Sequence, residues 1–397
     1  MQQLLTGAKA QTLQLDENNP RTGFYTVVYK DGQAGIEAYA AFCRSALYSG
    51  SQNPLWVKSW LGPRTDDERL IAIAWKDGQP ALALGLAVER RGPLRIATFP
   101  GGPHATSTFV ASGDVPLDAA DLYAVLNDIH AARPDIDAII LKRQRLQLEG
   151  RANPLRELWH IISPNLTFAM SLAPCRETGI IRSKHRMSRH RQVRRKFETF
   201  GEIRVFQAQT REEVDRLFDH FFEWKAEQLA FRGIPDSFAP EEVRASLRNT
   251  FRLALEQEEP SFEINGLEIA GKLRAINAYS RTSEGPLCEF LAYCNDELAQ
   301  WGPGEFLTYK MIEKAIESGA SVYDFGIGDE PYKRQWTDRT REEFDSYFGL
   351  TFRGKMHVLA VMCVEYLKRF IKRSPLLSGF VKRARKGVAA LAQFRKR

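Results

Sequence analysis

The chain has 397 residues, 44% of them hydrophobic, and a net charge of +7 with a pI near 9.1. That composition excludes a disordered chain and leaves room for two ordinary domains. Cysteines at 43, 175, 288, 294 and 363, with no CxxC among them, exclude a disulfide framework and a zinc ribbon and fit a reducing compartment.

Residues 1–23 read as a polar lead-in. They lack the charged start and apolar stretch of a secretory signal. No apolar run reaches the length needed to cross a bilayer, so a cytoplasmic protein is expected. Ile36–Leu47 reads as a helix, and the segment with Trp56, Val57, Trp60 and Leu61 as a second, shorter one. Leu70–Trp75, Ala81–Val88 and Leu94–Phe99 read as strands, the first two joined by an Asp77-Gly78 hairpin turn. A Pro100-Gly101-Gly102-Pro103 loop follows, then a helix over Leu117–Ala132 and a strand over Ala138–Lys142.

The second half repeats this order. Phe262–Ile264 is a strand, Asn265-Gly266 a hairpin turn, and Glu268–Tyr279 and Leu287–Tyr293 are strands. A Gly/Pro loop, a helix over Phe306–Ser318 with apolar residues at 307, 311, 312, 315 and 316, and a strand over Val322–Phe325 complete the unit. The text WKDGQPALALGLAVERRGPLRIATF is also similar to INGLEIAGKLRAINAYSRTSEGPLCEFL. The expectation is an internal duplication of one mixed α/β unit, with lobes over 24–175 and 206–355. Val214–Phe231 and Pro240–Glu256 are amphipathic helices ahead of the second sheet.

The positive charge is concentrated in Arg182–Lys196 and Lys368–Arg397, which suggests local acidic partners rather than a surface coated by nucleic acid; specific DNA binding is not expected. Arg182–Phe200 carries eight Lys and Arg and two His in nineteen residues and reads as a basic linking helix over 176–205. It is either a solvated linker or a phosphate-binding patch, and Arg191 and Arg195 form an RxxxR pair of a kind that could hold a cyclic dinucleotide. The segment 356–397 reads as a basic helical tail, either packed on the body or touching an anionic membrane face.

Gln300-Trp301-Gly302-Pro303-Gly304 opens directly onto the Phe306–Ser318 helix. Free N–H groups and the positive end of a helix dipole favour an anion there, a diphosphate best of all; a plain strand-to-helix turn is the simpler alternative. There is no GxxxxGK[ST], no GxGxxG after a strand, no HExxH and no GxSxG. What remains is chemistry by positioning: an anion-binding loop and a few carboxylates, with no metal expected.

The run PGEFLTYKMIEKAIESGASVYDFGIGDEPYKRQW resembles the hallmark of the CelD/BcsL-type acetyltransferases of the GNAT superfamily, which are linked to cellulose and exopolysaccharide synthesis. Phe197–Gly201 and Phe222–Lys225 are also similar to that family, and the resemblance runs best over 180–350. It implies two GNAT-like lobes, as in the Fem-type aminoacyl transferases, each a mixed, mostly antiparallel sheet flanked by helices: an α/β (α+β) fold. It implies acetyl-CoA or another acyl-CoA as donor, an amine-bearing sugar as acceptor, and polysaccharide-synthesis machinery as a partner. Gln300, Gly302 and Gly304 match the order of the family's Q/R-x-x-G-x-G/A loop with one residue fewer, and Pro303 removes one donor. The resemblance therefore places the cofactor on Leu291, Ala292, Tyr293, Gln300, Gly302, Gly304, Glu305 and Phe306, and none on the first lobe's Pro100-Gly101-Gly102 loop. Acyl transfer needs a base and an acid. Asp324 or Glu289 is expected as base, Tyr293 or Tyr332 as proton donor, and Lys225, Lys333, Arg334 and Trp336 on the acceptor side. Two rivals stand beside this: a Fem-type transferase using aminoacyl-tRNA, against which the lack of a long charged helical hairpin between Arg211 and Glu259 counts, and a degenerate nucleotide-binding regulator.

Overall fold

The computed structural model describes residues 23–328 and 330–373, with side chains followed to residue 367. The expectations for the lead-in before residue 23 and for the tail from 374 onward lie outside the described residues. In chain order the first elements are β1 (Phe24–Tyr29), α1 (Gly32–Cys43), α2 (Pro54–Leu61), β2 (Arg69–Lys76), β3 (Gln79–Arg91), β4 (Leu94–Thr98), β5 (Ala111–Ser112), α3 (Ala119–Ala132), β6 (Ala138–Arg145), β7 (Gln147–Leu148), β8 (Arg151–Ala152) and β9 (His160–Ser171). Then come α4 (Ala173–Thr178), α5 (Lys184–Glu198), β10 (Ile203–Gln207), α6 (Arg211–Phe231), α7 (Glu241–Ala254), β11 (Phe262–Ile269), β12 (Lys272–Thr282) and β13 (Gly285–Tyr293). The last are α8 (Pro303–Glu317), β14 (Val322–Ile327), α9 (Pro331–Trp336), β15 (Arg339–Gly349) and α10 (Phe352–Arg373).

The described residues form two compact units, one within Met1–Leu166 and Arg341–Glu365 and one within Thr167–Thr340 and Tyr366–Arg397. In the first, strands run in the order β1-β2-β3-β4-β6-β15, with β5 on β3. Neighbours are antiparallel except β4 and β6, which pair in parallel at Ile96–Ala138 and Ala97–Ile139 and so need the α3 crossover between them. β2 shows why a continuous apolar run makes a two-sided strand. Leu70, Ala72 and Ala74 pack with Leu122, Val125 and Ile129 of α3, while Ile71, Ile73 and Trp75 pack with Ile36, Tyr39 and Phe42 of α1 and Val57 and Leu61 of α2. The inner face of α10 joins this unit through Val358, which packs with Ile96, Ala138, Ile140 and Tyr347.

The second unit has the order β14-β13-β12-β11-β10, with Thr167–Ser171 of β9 antiparallel to β14. The sequence of pairings repeats that of the first unit, and here too one pair, β13 with β14, is parallel. One face is covered by an aromatic cluster, Phe218, Phe221 and Phe222 from α6, Phe251 from α7 and Phe290 from β13. Helices α6 and α7 thus bury their apolar faces on the sheet. The other face is covered by α8, which starts three residues before its expected position because Pro303 is preset for a first helical turn.

Asp77-Gly78 turns β2 into β3 as expected, with φ of 52° and 75°. Asn265-Gly266 does not turn. Both lie inside β11, and the turn is made by Ala270-Gly271, with φ of 53° and 74°. Gly266 is there for close approach: a Cβ would stand 2.6 Å from the Phe206 ring of β10.

The basic helix α5 docks on α8 by stacking. The His190 ring lies 3.6 Å from Tyr309 and 4.5 Å from Phe306, nearly parallel to both, and Phe197 meets Phe306 edge-on at 5.2 Å. Burial, aided by the charges of Lys310 and Arg194, pulls His190 down from 6.5 to about 4.

Two tests follow from this packing. Gly354 of α10 faces the Asp137 carbonyl so closely that a Cβ would stand 1.7 Å from the oxygen. Gly354→Ala is expected to cost about 3 kcal/mol, read as a fall in Tm, and a wild-type melt would contradict the contact. His190 held neutral in the fold binds a proton more readily when unfolded, so its contribution is intact above pH 6.5 and is lost as pH falls towards 4. Denaturant unfolding should show about 1–2 kcal/mol less stability at pH 5 than at pH 7.5, and His190→Phe, which keeps the stack, should flatten that slope. An unchanged slope would place the titration elsewhere.

Candidate acyl-transfer site

The site is built on the end of β13. Strand β13 pairs in register with β14 at Leu287 with Asp324, and among the described residues no registered pair follows along Glu289–Tyr293. On its other edge β13 stays on β12, and the Cys294 N–H donates to the Arg274 carbonyl at 2.9 Å. Backbone groups alternate in direction along an antiparallel strand. Ala292 and Cys294 therefore turn towards β12, and Leu291 and Tyr293 turn towards the other edge. Helix α6 meets them there: Lys225 Nζ donates to the Leu291 carbonyl at 3.3 Å and Gln228 Nε2 to the Tyr293 carbonyl at 3.1 Å. Lys225 and Gln228 stand three apart on α6 and so share a face.

Glu289 sits at a bulge. Ala278 pairs with Phe290 and Tyr279 with Cys288, so the register skips Glu289. Its carboxylate accepts a hydrogen bond from the Ser280 hydroxyl at 2.5 Å. Asp324, the other base candidate, is 4% exposed and accepts the Gly326 N–H at 2.8 Å, which secures the bulge between Asp324 and Ile327 within β14. Gly326 has φ of 70°, and a Cβ there would stand 2.6 Å from the Cys288 carbonyl.

Around the opening lies a group of mutually interacting ionisable side chains. Burial pulls the Lys225 ammonium down from its ordinary value, against the pull of Glu330. Burial pushes the Cys288 thiol up to about 12, with Glu289 and Glu330 raising it and Lys333 and Lys225 opposing. The Tyr332 phenol is raised by burial first and by Cys288 and Glu330 next, so it stays protonated through neutral pH. Lys333 is buried, donates to the Ile327 carbonyl at 2.7 Å and lies 3.6 Å from Glu330. Arg232 approaches Glu330 to 3.7 Å, and its neighbour Phe231 is 85% exposed.

At the start of α8, Gly302 caps in the left-handed region with φ of 70°. Pro303 has no N–H and the Phe306 N–H bonds back to the Gly302 carbonyl at 3.0 Å, so Gly304 and Glu305 supply the first-turn amides. A Cβ on Gly304 would stand 3.0 Å from Leu291 Cδ2 and 3.3 Å from Tyr293 Cδ1, so the glycine is what lets this helix end approach the open strand edge. The Glu305 carboxylate pairs with Arg186 of α5 at 2.7 Å. Arg186, His190, Trp301, Phe306, Tyr309 and Trp336 line a cleft beside it.

The structure thus gathers Glu289, Leu291, Tyr293, Gly304, Glu305, Lys225, Tyr332 and Lys333 in the second unit. Gln300 lies on the short turn before Gly302, exposed, with Nε2 on the Glu297 carbonyl at 3.2 Å. Arg334 is exposed on α9, while Trp336 is 2% exposed beneath the Arg186 guanidinium. Arg191 and Arg195 are exposed on α5. Sequence reasoning missed Cys288, Glu330 and Gln228; the spacing of Gln228 from Lys225 was the available signal.

In the first unit the comparable helix α3 begins well after β4, and its N-terminus is closed by side chains. Asp118 accepts the Asp121 N–H at 2.9 Å and Asp121 accepts the Asp118 N–H at 3.1 Å. Among the described residues no group of His, Cys, Asp and Glu could hold a metal ion, and no helix is long and apolar enough to cross a membrane.

Residues 183–334 match the family model for the acetyltransferase (GNAT) domain. The crystal structure of FemX is similar to this chain at a TM-score of 0.53 and 13% identity, covering 78% of this chain and 95% of that one. The C-terminal (DUF2156) domain of a putative lysylphosphatidylglycerol synthetase from Agrobacterium fabrum aligns at 0.49 and 12%, covering 83% and 95%. A tandem GNAT protein from the clavulanic acid biosynthesis pathway aligns at 0.45 and 11%, covering 83% and 99%. No curated protein matches the chain in sequence. The expected mixed α/β architecture therefore holds, and residues 183–334 match the acetyltransferase (GNAT) domain, which supports acyl transfer by this part of the chain.

Proposed function

We propose that the second unit transfers an acetyl group from acetyl-CoA to the amine of a sugar or sugar precursor used in polysaccharide assembly. The observation that carries the reading is the open edge of β13 beside an uncapped helix start: Leu291 and Tyr293 turn their backbone groups to the gap, and Gly304 keeps the gap clear. A pantetheine arm is an extended amide chain and can take the place of the missing strand on that edge. The amides of Gly304 and Glu305 suit the diphosphate. Arg186 stands ready to balance Glu305 when the anion arrives. The sugar acceptor is supported by the resemblance of Val322–Trp336 and by exposed Phe231, an aromatic face beside Arg232 and Glu330.

The chemistry assigned to this chain's residues is direct transfer. Glu289, set out of register and held by Ser280, takes the proton of the attacking amine, through a water where needed. The N–H groups of Leu291 and Tyr293, on the open edge, are assigned to the charge that develops on the carbonyl oxygen. Tyr332, kept protonated by burial, offers a proton to the departing thiolate. Asp324 is assigned to holding the β14 bulge rather than to the proton transfer.

Calorimetric titration with acetyl-CoA is expected to show saturable binding. Gly304→Ala should weaken it about tenfold because the added Cβ crowds Leu291 and Tyr293, with only a small fall in Tm. Unchanged affinity would remove the site, and binding of aminoacyl-tRNA in place of acetyl-CoA would favour Fem-type transfer. Glu289→Gln should lower kcat about a hundredfold with little change in KM and remove the acid limb of the pH profile. Asp324→Asn should act first on Tm. An inactive, fully stable Asp324→Asn beside an active Glu289→Gln would reverse the two assignments.

A further inference from the structure

Helix α10 is apolar on two opposite faces. Gly354, Val358 and Glu365 are buried against the first unit. On the outward side Phe352 is 78% exposed, Met356 and Leu359 each 53% and Val364 50%, and Cys363 is exposed with them. Phe352, Met356, Leu359 and Cys363 recur at intervals of three and four and form one stripe along the helix, with Val364 at its edge. Between Met356 and Leu367 the only Lys, Arg, Asp or Glu is Glu365, which points inward and pairs with Lys142 at 2.8 Å. A helix that is apolar all round is normally covered on every side. A continuous exposed apolar patch marks a contact surface.

The charge pattern indicates what covers it. Residues 352–397 hold 13 of the chain's 56 Lys and Arg and one of its 49 Asp and Glu. The first 351 residues therefore carry 43 positive groups against 48 negative, so the whole positive surplus lies in this C-terminal stretch. Arg353 and Lys355 stand at the start of α10, and Lys368, Arg369, Lys372 and Arg373 follow in its last turns. An apolar stripe continued by dense basic charge matches an anionic lipid interface, where side chains enter the headgroup boundary and Lys and Arg meet phosphates. A nucleic acid would use the charge and leave the stripe bare. A second copy would bring like charge against like.

We propose that the outward face of α10 is a membrane-surface contact, which seats the acyltransferase on an anionic bilayer without crossing it. The experiment is co-sedimentation of the full chain with vesicles of phosphatidylglycerol and phosphatidylcholine, with phosphatidylcholine alone as control. Partition to the anionic vesicles is expected, weakening as salt rises. The double substitution Met356→Glu with Leu359→Glu, on the exposed face, should cut it at least tenfold while Tm and acetyl-CoA binding stay as in wild type. Four results would overturn the proposal: no partition at all, partition unaffected by the double substitution, preferential capture of a mixed tRNA, or a light-scattering dimer that the double substitution dissolves.

Discussion

A strand that loses its neighbour exposes a row of backbone donors and acceptors, and inside a fold each of these has to be met. Strand β13 has one registered pair with β14, and what meets its edge at Leu291 and Tyr293 is a set of long side chains rather than another strand. Lys225 and Gln228 reach the strand from α6 through an ammonium and an amide. They satisfy Leu291 and Tyr293 without closing the space. Most of the second unit serves that opening: the aromatic cluster of α6, α7 and β13 fixes the helix that supplies the two side chains, and Gly304 brings the start of α8 to the same place.

The electrostatics follow from burial around this gap. Cations at Lys225 and Lys333 and anions at Glu289 and Glu330 are balanced over a small region that holds a thiol and a phenol kept protonated. Low polarity makes each of these charges more effective than it would be in water, and less tolerant of losing its partner. The first unit has the same order of strands but puts capping aspartates where the second has free amides. The two halves of the chain therefore share an order of strands and differ in how these two helix starts are capped.

Much of the scaffold was legible in the sequence because period and burial agree there. The stripe at 307, 311, 312, 315 and 316 gave α8, and the Asp77-Gly78 turn gave the β2–β3 hairpin. Strand β15 was not legible, since REEFDSYFG reads as polar although Glu343, Asp345 and Ser346 are all nearly inaccessible. Asn265-Gly266 carried a turn signal whose glycine answers to the Phe206 ring instead. The residues of the site were named largely from β13 and α9. Their partners Cys288, Glu330 and Gln228 come together through tertiary folding, and no local pattern announces that.

Acyl-CoA is proposed to lie along β13 in the second unit. Hydrogen–deuterium exchange of the full chain with and without acetyl-CoA tests it at the backbone. The ligand should slow exchange in peptides covering Leu287–Tyr293 and Pro303–Tyr309 and leave Leu94–His104 of the first unit unaffected. Unchanged exchange at Leu287–Tyr293, or protection that falls on Leu94–His104, would contradict it.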